Sequence, residues 1–491
     1  MTTALPTGAD RNRRRKSAAS VLRAATATSP APDETPKTSK WDGLARLREK
    51  LNRLLIPVAV IGGLTFNFAL CFVNTRITPT WELYVMMSEM VLVMCAFAAT
   101  LDRRMGIYVF LGVFVAYMAM LFAFRGQADA KAVRDIIIPV VFFFMGMKAS
   151  NLVLADRLVA IAVAIVIAFG LFEYFAVETF LDYFNVLGYY LARGTINLGE
   201  TFGISRGLFI SGLRPEPRTI LPFLGQHRVA SIFLEPVSAG NFGVIAYSWA
   251  LFRTDMRFRI PVLIGALSTV VLADARFGLY TCILITVVSP FLKFTPRLLW
   301  MVMPFIMLST VAAYGIATNT LGGDNSIGGR MAVTAHILTS LSTDIVFGVA
   351  TTDQFTADSG LAYTLTKFGI VGFVALWGAL VFAPVKDERA WTYLASILIY
   401  LLLLMLISNS FYSIKTGALL WFILGTATCV EFPKGPSRLR QFLLPDRIFA
   451  PETRRVSGPE TGRTTLSSNG PSAPAGAHRA AAGPSRRRAE Y

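Results

Sequence analysis

The chain has 491 residues, 54% hydrophobic and only 16% charged, with a mean hydropathy of +0.54. That balance excludes a water-soluble enzyme and a disordered chain. The net charge of +17 would by itself point to nucleic acid, but residues 1–53 and 433–491 carry +7 each, so 14 of the 17 charges belong to two tails and no nucleic-acid partner is expected.

In chain order, the first segment holds the basic run Arg11–Lys16 and a stretch rich in Pro, Thr and Ser, a composition expected to be disordered. It contains no apolar secretory signal. Residues 41–53 predict a short amphipathic helix on the inner membrane surface, because Leu44, Leu47, Leu51 and Leu54 recur at helical spacing with Arg and Lys between them. A membrane domain is expected over 54–432. Its apolar runs approach the ~20 residues that cross a bilayer: 54–73, 81–101, 106–124, 136–147, 158–177, 236–252, 260–273, 276–292, 298–318, 361–383, 391–407 and 411–430. They are apolar all round, which a packed soluble helix is not. The fold class is therefore an all-α polytopic membrane protein of about twelve spans, three of them short (136–147, 260–273 and 276–292). Residues 433–491 form a second basic tail expected to be disordered, and both tails suit attachment to anionic lipid.

Lys and Arg set the orientation. With the N-terminus inside, the short inner loops 102–105, 148–157, 253–259, 293–297 and 384–390 carry 11 Lys+Arg in 33 residues, and the outer segments carry 11 in 124. Both termini are expected in the cytoplasm. Cys71, Cys95, Cys282 and Cys429 all fall in apolar runs, where packing is the expected role. The three histidines, His227, His336 and His478, are too few and too dispersed for a His-based metal site. Helix packing is the expected role of His336.

Two long outward segments, 178–235 and 319–360, stand out, since long connections between helices are uncommon unless functional or disordered. Tyr183, Phe184, Tyr189 and Tyr190 in the first suit a membrane-interface belt. Together the two segments hold Arg193, Arg206, Arg214, Arg218, Arg228 and Arg330 and no Lys; Arg276 stands at a tight outward turn. The guanidinium fork matches phosphate oxygens. Structural ion pairs with Glu200, Glu216, Glu235, Asp274 or Asp324 are the alternative for any single arginine. Lys367 and Lys415 lie inside apolar runs near their outward ends, where a charge is either functional or snorkelling. Glu82 and Glu89, seven apart on one helix face, and Glu173 could balance these cations.

Arg228-Val-Ala-Ser-Ile-Phe-Leu-Glu-Pro-Val-Ser-Ala-Gly-Asn-Phe-Gly243, Asp274-Ala-Arg276-Phe-Gly278, Gly328-Gly-Arg330, Phe347-Gly348, Asp358-Ser-Gly-Leu-Ala-Tyr363 and Lys367-Phe-Gly-Ile-Val-Gly372 follow one another in an order that resembles the loops and exit helix of Wzy-type polysaccharide polymerases. The resemblance covers residues ~200–383 and is strongest to exopolysaccharide polymerases of the xanthan-polymerase sort, in the superfamily of O-antigen polymerases and ligases. It implies a GT-C-like membrane fold in the bacterial inner membrane. The implied reaction joins polyprenyl-diphosphate-linked oligosaccharide repeats into an exopolysaccharide at the periplasmic face, without cofactor or metal, alongside a chain-length co-polymerase and a flippase. On this reading Arg228, Arg276 and Arg330 form the catalytic diphosphate clamp. Arg214, Arg218, Lys367 and Lys415 bind the diphosphate, and Glu235 and Asp358 are the candidate base or sugar-positioning groups. Related ligases carry a His at Asp358-Ser359, a departure that favours the polymerase over the O-antigen-type ligase. A lipid-linked oligosaccharide flippase is the alternative from another class.

Overall fold

The computed structural model describes residues 40–101, 105–196, 206–213, 218–318, 327–352, 356 and 359–431; the side chains of 40–50, 53, 318, 327 and 330 are outside the description. Both tails beyond these limits, with the disorder expected of them, lie outside the described residues. The described chain is about 78% helical, with no strand.

The helices are α1 (Lys40–Arg76), α2 (Glu82–Thr100), α3 (Gly106–Arg125), α4 (Ala130–Ala149), α5 (Leu152–Phe175), α6 (Val177–Tyr183), α7 (Val186–Ala192), α8 (Pro236–Phe252), α9 (Arg259–Leu272), α10 (Arg276–Leu292), α11 (Arg297–Thr318), α12 (Ile327–Ser340), α13 (Thr343–Phe347), α14 (Gly360–Val381), α15 (Glu388–Met405) and α16 (Ile414–Cys429). Their starts are written in local chemistry. The side chains of Asp129, Asn151, Asn185, Ser359 and Asp387 accept from the first free amides of α4, α5, α7, α14 and α15.

A helix covers every one of the twelve apolar runs. Seven of them are long and apolar enough to cross a membrane: α1 from Leu54, α2, α3, α5, α11, α14 and α15. This is a helical membrane protein. Three boundaries differ from expectation. The amphipathic stretch 41–53 is not a separate helix; it runs without interruption into the first span across Pro57, which the helix accommodates. The short run 136–147 belongs to a 20-residue helix whose first two turns carry Lys131, Arg134 and Asp135; Arg134 and Asp135 find partners inside the protein in Glu89 and Tyr363. The segment 319–360 is not a plain loop, since it contains α12 and α13.

Side-chain contacts separate two ends of the bundle. At one, Lys148 Nζ donates to Ala99 O at 2.7 Å, Arg253 pairs with Asp156 at 2.9 Å and Arg297 Nη1 donates to Ala383 O at 3.3 Å. The first two link the edges of the first three short basic loops, and the third links the last two. The other end, the loop end, gathers the described parts of the segment 178–235, the α3–α4 and α9–α10 turns and the starts of α14 and α16.

The central helix contact is α4 against α16, the most extensive among the described residues. Gly146 and Gly425 make it possible reciprocally. A Cβ on Gly146 would overlap the Phe422 carbonyl, and a Cβ on Gly425 would overlap the Phe143 carbonyl. Inside a bilayer, helices associate by such close backbone approach rather than by expelling water. Gly146→Val or Gly425→Val should therefore destabilise the detergent-purified protein by about 3 kcal/mol, the upper range for overpacking. Gly112→Ala on α3, where nothing lies within 4 Å, should be neutral or stabilising in the same thermal unfolding measurement.

Candidate functional site

Three groups of side chains meet at the loop end. The first is structural. Glu173, fully buried near the end of α5, accepts from the amides of Ala230 and Ser231 at 3.0 and 2.5 Å and pairs with His227 Nε2 at 3.0 Å. Arg218 and Arg228 are buried too, and both donate to main-chain carbonyls. Arg218 Nη2 reaches Leu272 O at 2.6 Å, and its Nε reaches His227 O at 2.7 Å. Arg228 Nε reaches Ala273 O at 3.1 Å, and its Nη1 reaches Ser211 O at 3.2 Å. The two guanidinia thus finish the C-terminal end of α9, whose last carbonyls lack helix partners. Asp274 accepts from the Ile220 amide at 2.8 Å. Around this network Leu221, Ser231, Leu234 and Asp274 hold positive φ of 46–64°, a conformation persisting only where surroundings enforce it.

The second group is polar and partly open. Glu235, immediately before α8, accepts from Tyr190 Oη at 2.6 Å, from Lys415 Nζ at 3.2 Å and from Ser238 Oγ at 3.0 Å. Its side chain is 28% exposed and that of Lys415 14%. Burial alone would raise the Glu235 carboxyl; the Lys415 ammonium and the Tyr190 and Ser238 hydroxyls outweigh it and hold the group below its ordinary 4.5. Burial also pushes the Tyr190 hydroxyl well above its ordinary range, so it remains a donor. Arg193 pairs with Glu82 at 2.8 Å and lies over the rings of Tyr189 and Tyr190. Glu89 is within electrostatic reach of Lys415 and Arg193 and pairs with Arg134 at 2.8 Å. Arg134 in turn binds Asp135 at 2.8 Å, and Tyr363 Oη donates to Asp135 at 2.5 Å.

The third group surrounds a break in α14. Gly369 adopts φ 65°, ψ 173°, a region open only to glycine. The break frees carbonyls in a helix that crosses apolar surroundings. Arg125 answers with three donors: Nε to Gly348 O at 2.8 Å, Nη1 to Lys367 O at 3.1 Å and Nη2 to Thr366 O at 3.0 Å. Tyr117 Oη donates to Phe368 O at 2.6 Å and accepts from the Gly372 amide at 3.1 Å. Gly348, itself at φ 82°, lies against Gly369; a Cβ on Gly369 would come within 2.7 Å of Phe347 O. Beside the break, Lys367 Nζ pairs with Asp129 at 2.7 Å, with the lysine side chain 31% exposed.

The residues expected from sequence therefore separate. Glu235 and Lys415 meet directly. Lys367 sits at the break in α14. Arg218 and Arg228 are engaged with the backbone and hold the fold of the loop, a different position from an open clamp. Arg276 opens α10, half-buried beside Asp274. Arg330 lies on α12 with its side chain outside the description, and Arg214 and Asp358 lie outside the described residues. Phe184, Tyr189 and Tyr190 are not a lipid-facing belt. They are buried on the protein, where Phe184 stacks on Phe68 with centroids 4.0 Å apart and Tyr189 bonds Asn67. His336 points outward from α12 and packs little. Among the described residues no three His, Cys, Asp or Glu side chains gather as metal ligands. Arg125, Arg134, Asp135, Tyr190 and Tyr363 were not singled out as site residues from sequence; Arg125 and Arg134 entered only as topology charges.

Comparison with protein-family models, curated proteins and solved structures gave no match.

Replacing Arg125 tests the break. Arg125→Ala leaves three carbonyls without their donor and should destabilise by about 1–3 kcal/mol. Arg125→Lys, with one ammonium in place of a fork, should recover part of that. Thermal unfolding together with limited proteolysis around 343–352 reads both effects.

Proposed function

We propose that this protein is an inner-membrane glycosyltransferase of the Wzy type, which joins polyprenyl-diphosphate-linked oligosaccharides into an exopolysaccharide at the outer face of the membrane. The observation that carries the reading is the Glu235–Lys415–Tyr190 group, with Arg193, Glu89 and Arg134 close by, at the end of an apolar helical bundle. It combines partly exposed cations suited to a departing diphosphate with a carboxylate suited to a sugar hydroxyl. The higher Lys+Arg density of the five short loops at the opposite end supports placing this group outward, and the ordered motifs across ~200–383 support the family.

In this reading Lys415, Arg134 and Lys367 receive diphosphate oxygens, with Arg276 and Arg330 as further cations. Glu235 positions the acceptor hydroxyl. Its depressed pKa makes it a weak base, so holding the nucleophile in line contributes more than removing its proton. Arg218 and Arg228 act by keeping the loop in shape. The ligase, and the flippase, remain the competing assignments; neither has an observation in its favour here.

Purified protein supplied with a lipid-linked repeat should make polymer ladders. Lys415→Ala should lower polymer formation about 10²–10³-fold, as loss of one charge-stabilising donor does, while leaving unfolding temperature close to that of the parent. Arg228→Ala should instead reduce the yield of folded protein. Undiminished polymer from Lys415→Ala would defeat the site assignment, and translocated lipid without new glycosidic bonds would indicate the flippase.

The pH dependence has a definite sign. A carboxyl whose folded pKa lies below its unfolded value stabilises fully above the unfolded value and loses that contribution as pH falls through the folded one. The stability difference between the parent and Glu235→Gln should thus be constant above pH ~5.5 and shrink once pH drops below the ordinary 4.5. A difference that grows on acidification would contradict the Glu235–Lys415 pairing.

A further inference from the structure

The helix α14 is two rods joined at Gly369. In an unbroken helix the Phe368 carbonyl would accept from the Gly372 amide. Here the Tyr117 hydroxyl of α3 stands between them, accepting from the amide at 3.1 Å and donating to the carbonyl at 2.6 Å. A side chain inserted into the ladder is one of the few causes of a sharp bend. Two turns along α3, Arg125 ties the carbonyls of Thr366 and Lys367 to that of Gly348. All five bonds at the bend therefore come from one neighbouring helix.

The two rods differ in their surroundings. Residues 360–366 are buried throughout, and the Thr364 hydroxyl bonds that of Tyr412 at 2.9 Å. Beyond the bend, Val371, Ala375, Ala379 and Phe382 are exposed. On one side this second rod meets α11, where Trp377 Nε1 donates to Trp300 O at 2.9 Å. That neighbour is the least buried of the seven long spans, so it can follow a movement. On the other side lies an apolar crevice with a cavity volume of about 260 Å³, between Phe373, Leu376 and Leu380 of α14, Pro139 and Phe143 of α4, and Leu401 of α15. Protein interiors are close-packed, with few voids larger than a water molecule. A space of this size beside a glycine bend is room to move.

We infer that α14 is a hinged helix: the rod 370–382 tilts about Gly369 into the crevice, and Tyr117 and Arg125 of α3 are the latch that holds it back. The rod is about 20 Å long, so a tilt of about 15° carries Phe382 by about 5 Å. The link 384–387 to α15 is long enough to allow this, at up to about 3.5 Å per residue. The latch also reaches the polar end of the molecule. Arg125 holds the Lys367 carbonyl, and Lys367 Nζ pairs with Asp129 at 2.7 Å, so releasing the hinge frees the backbone that carries Lys367. The inference does not depend on the reaction assigned to that end.

The test measures distances by double electron–electron resonance on the full-length protein in detergent, with all four native cysteines replaced by alanine. Spin labels at Phe382→Cys and Val153→Cys, both exposed, report the rod against the start of α5. Labels at Val153→Cys and Ile260→Cys serve as the reference pair. All variants are checked for monodisperse elution. Tyr117→Phe, which loses two hydrogen bonds, should enlarge a second population displaced by about 5 Å at least about fivefold over the parent. Arg125→Lys should act in the same direction. Adding Ala379→Trp to Tyr117→Phe puts an indole in the crevice and should remove the second population. The reference pair should stay unchanged throughout. Identical distributions in the parent and both latch variants would overturn the hinge. So would a second population that Ala379→Trp leaves undiminished, or broadening of the reference pair to the same extent, which marks general loosening.

Discussion

A backbone carbonyl that leaves a helix inside hydrocarbon has no water to turn to, and an unmatched one costs several kcal/mol. This constraint governs the loop end of the molecule. The chain ends α9 within the protein and breaks α14 at Gly369, and at both places an arginine fork supplies the missing donors: Arg218 and Arg228 for Val271 to Asp274, Arg125 for Thr366, Lys367 and Gly348. A lysine could not do the same, because one ammonium lacks the fixed fork that reaches several carbonyls. The break has a consequence for chemistry. It brings Lys367 beside Asp129 at the bundle's end, and it lets Gly348 and Gly369 bring the second long segment against α14.

The open polar group depends on packing of a different kind. Glycine against carbonyl draws α4 and α16 together at Gly146 and Gly425. Arg134 and Asp135 occupy the far end of α4 from that contact, and Lys415 begins α16. The close approach of these two helices sets where their charged first turns stand. The pairs themselves add modest stability, since exposed and half-buried ion pairs are worth little after desolvation.

Much of this was legible beforehand, and the reasons are specific. The apolar runs became helices, seven of them long enough to cross a membrane, because a helix satisfies its own backbone without water. Lys415 and Lys367 stood out because a charge inside an apolar run is costly, and Glu235 stood out as a possible ion-pair partner and by its place in the motif run that begins at Arg228; the structure brings Glu235 and Lys415 together. Asp135 and Arg134 were less visible. They sit at the margin of the short run 136–147, where they read as loop charges, yet Asp135 is buried. Tyr189 and Tyr190 read as interface aromatics because a belt and a buried cluster have the same composition.

What the sequence by itself determined was the class of molecule, the helices and the local caps, all of which follow from residues within one or two turns of each other. Only the tertiary structure decided what each arginine does. Arg125, Arg134, Arg193, Arg218 and Arg228 are chemically identical, and their acceptors differ: carbonyls of distant segments for Arg125, Arg218 and Arg228, and carboxylates for Arg134 and Arg193. A backbone carbonyl has no letter in the sequence. Which carbonyls lack a partner is known only once the helices have ended and packed, and that is why the arginines that maintain the fold could not be told in advance from those that face an open site.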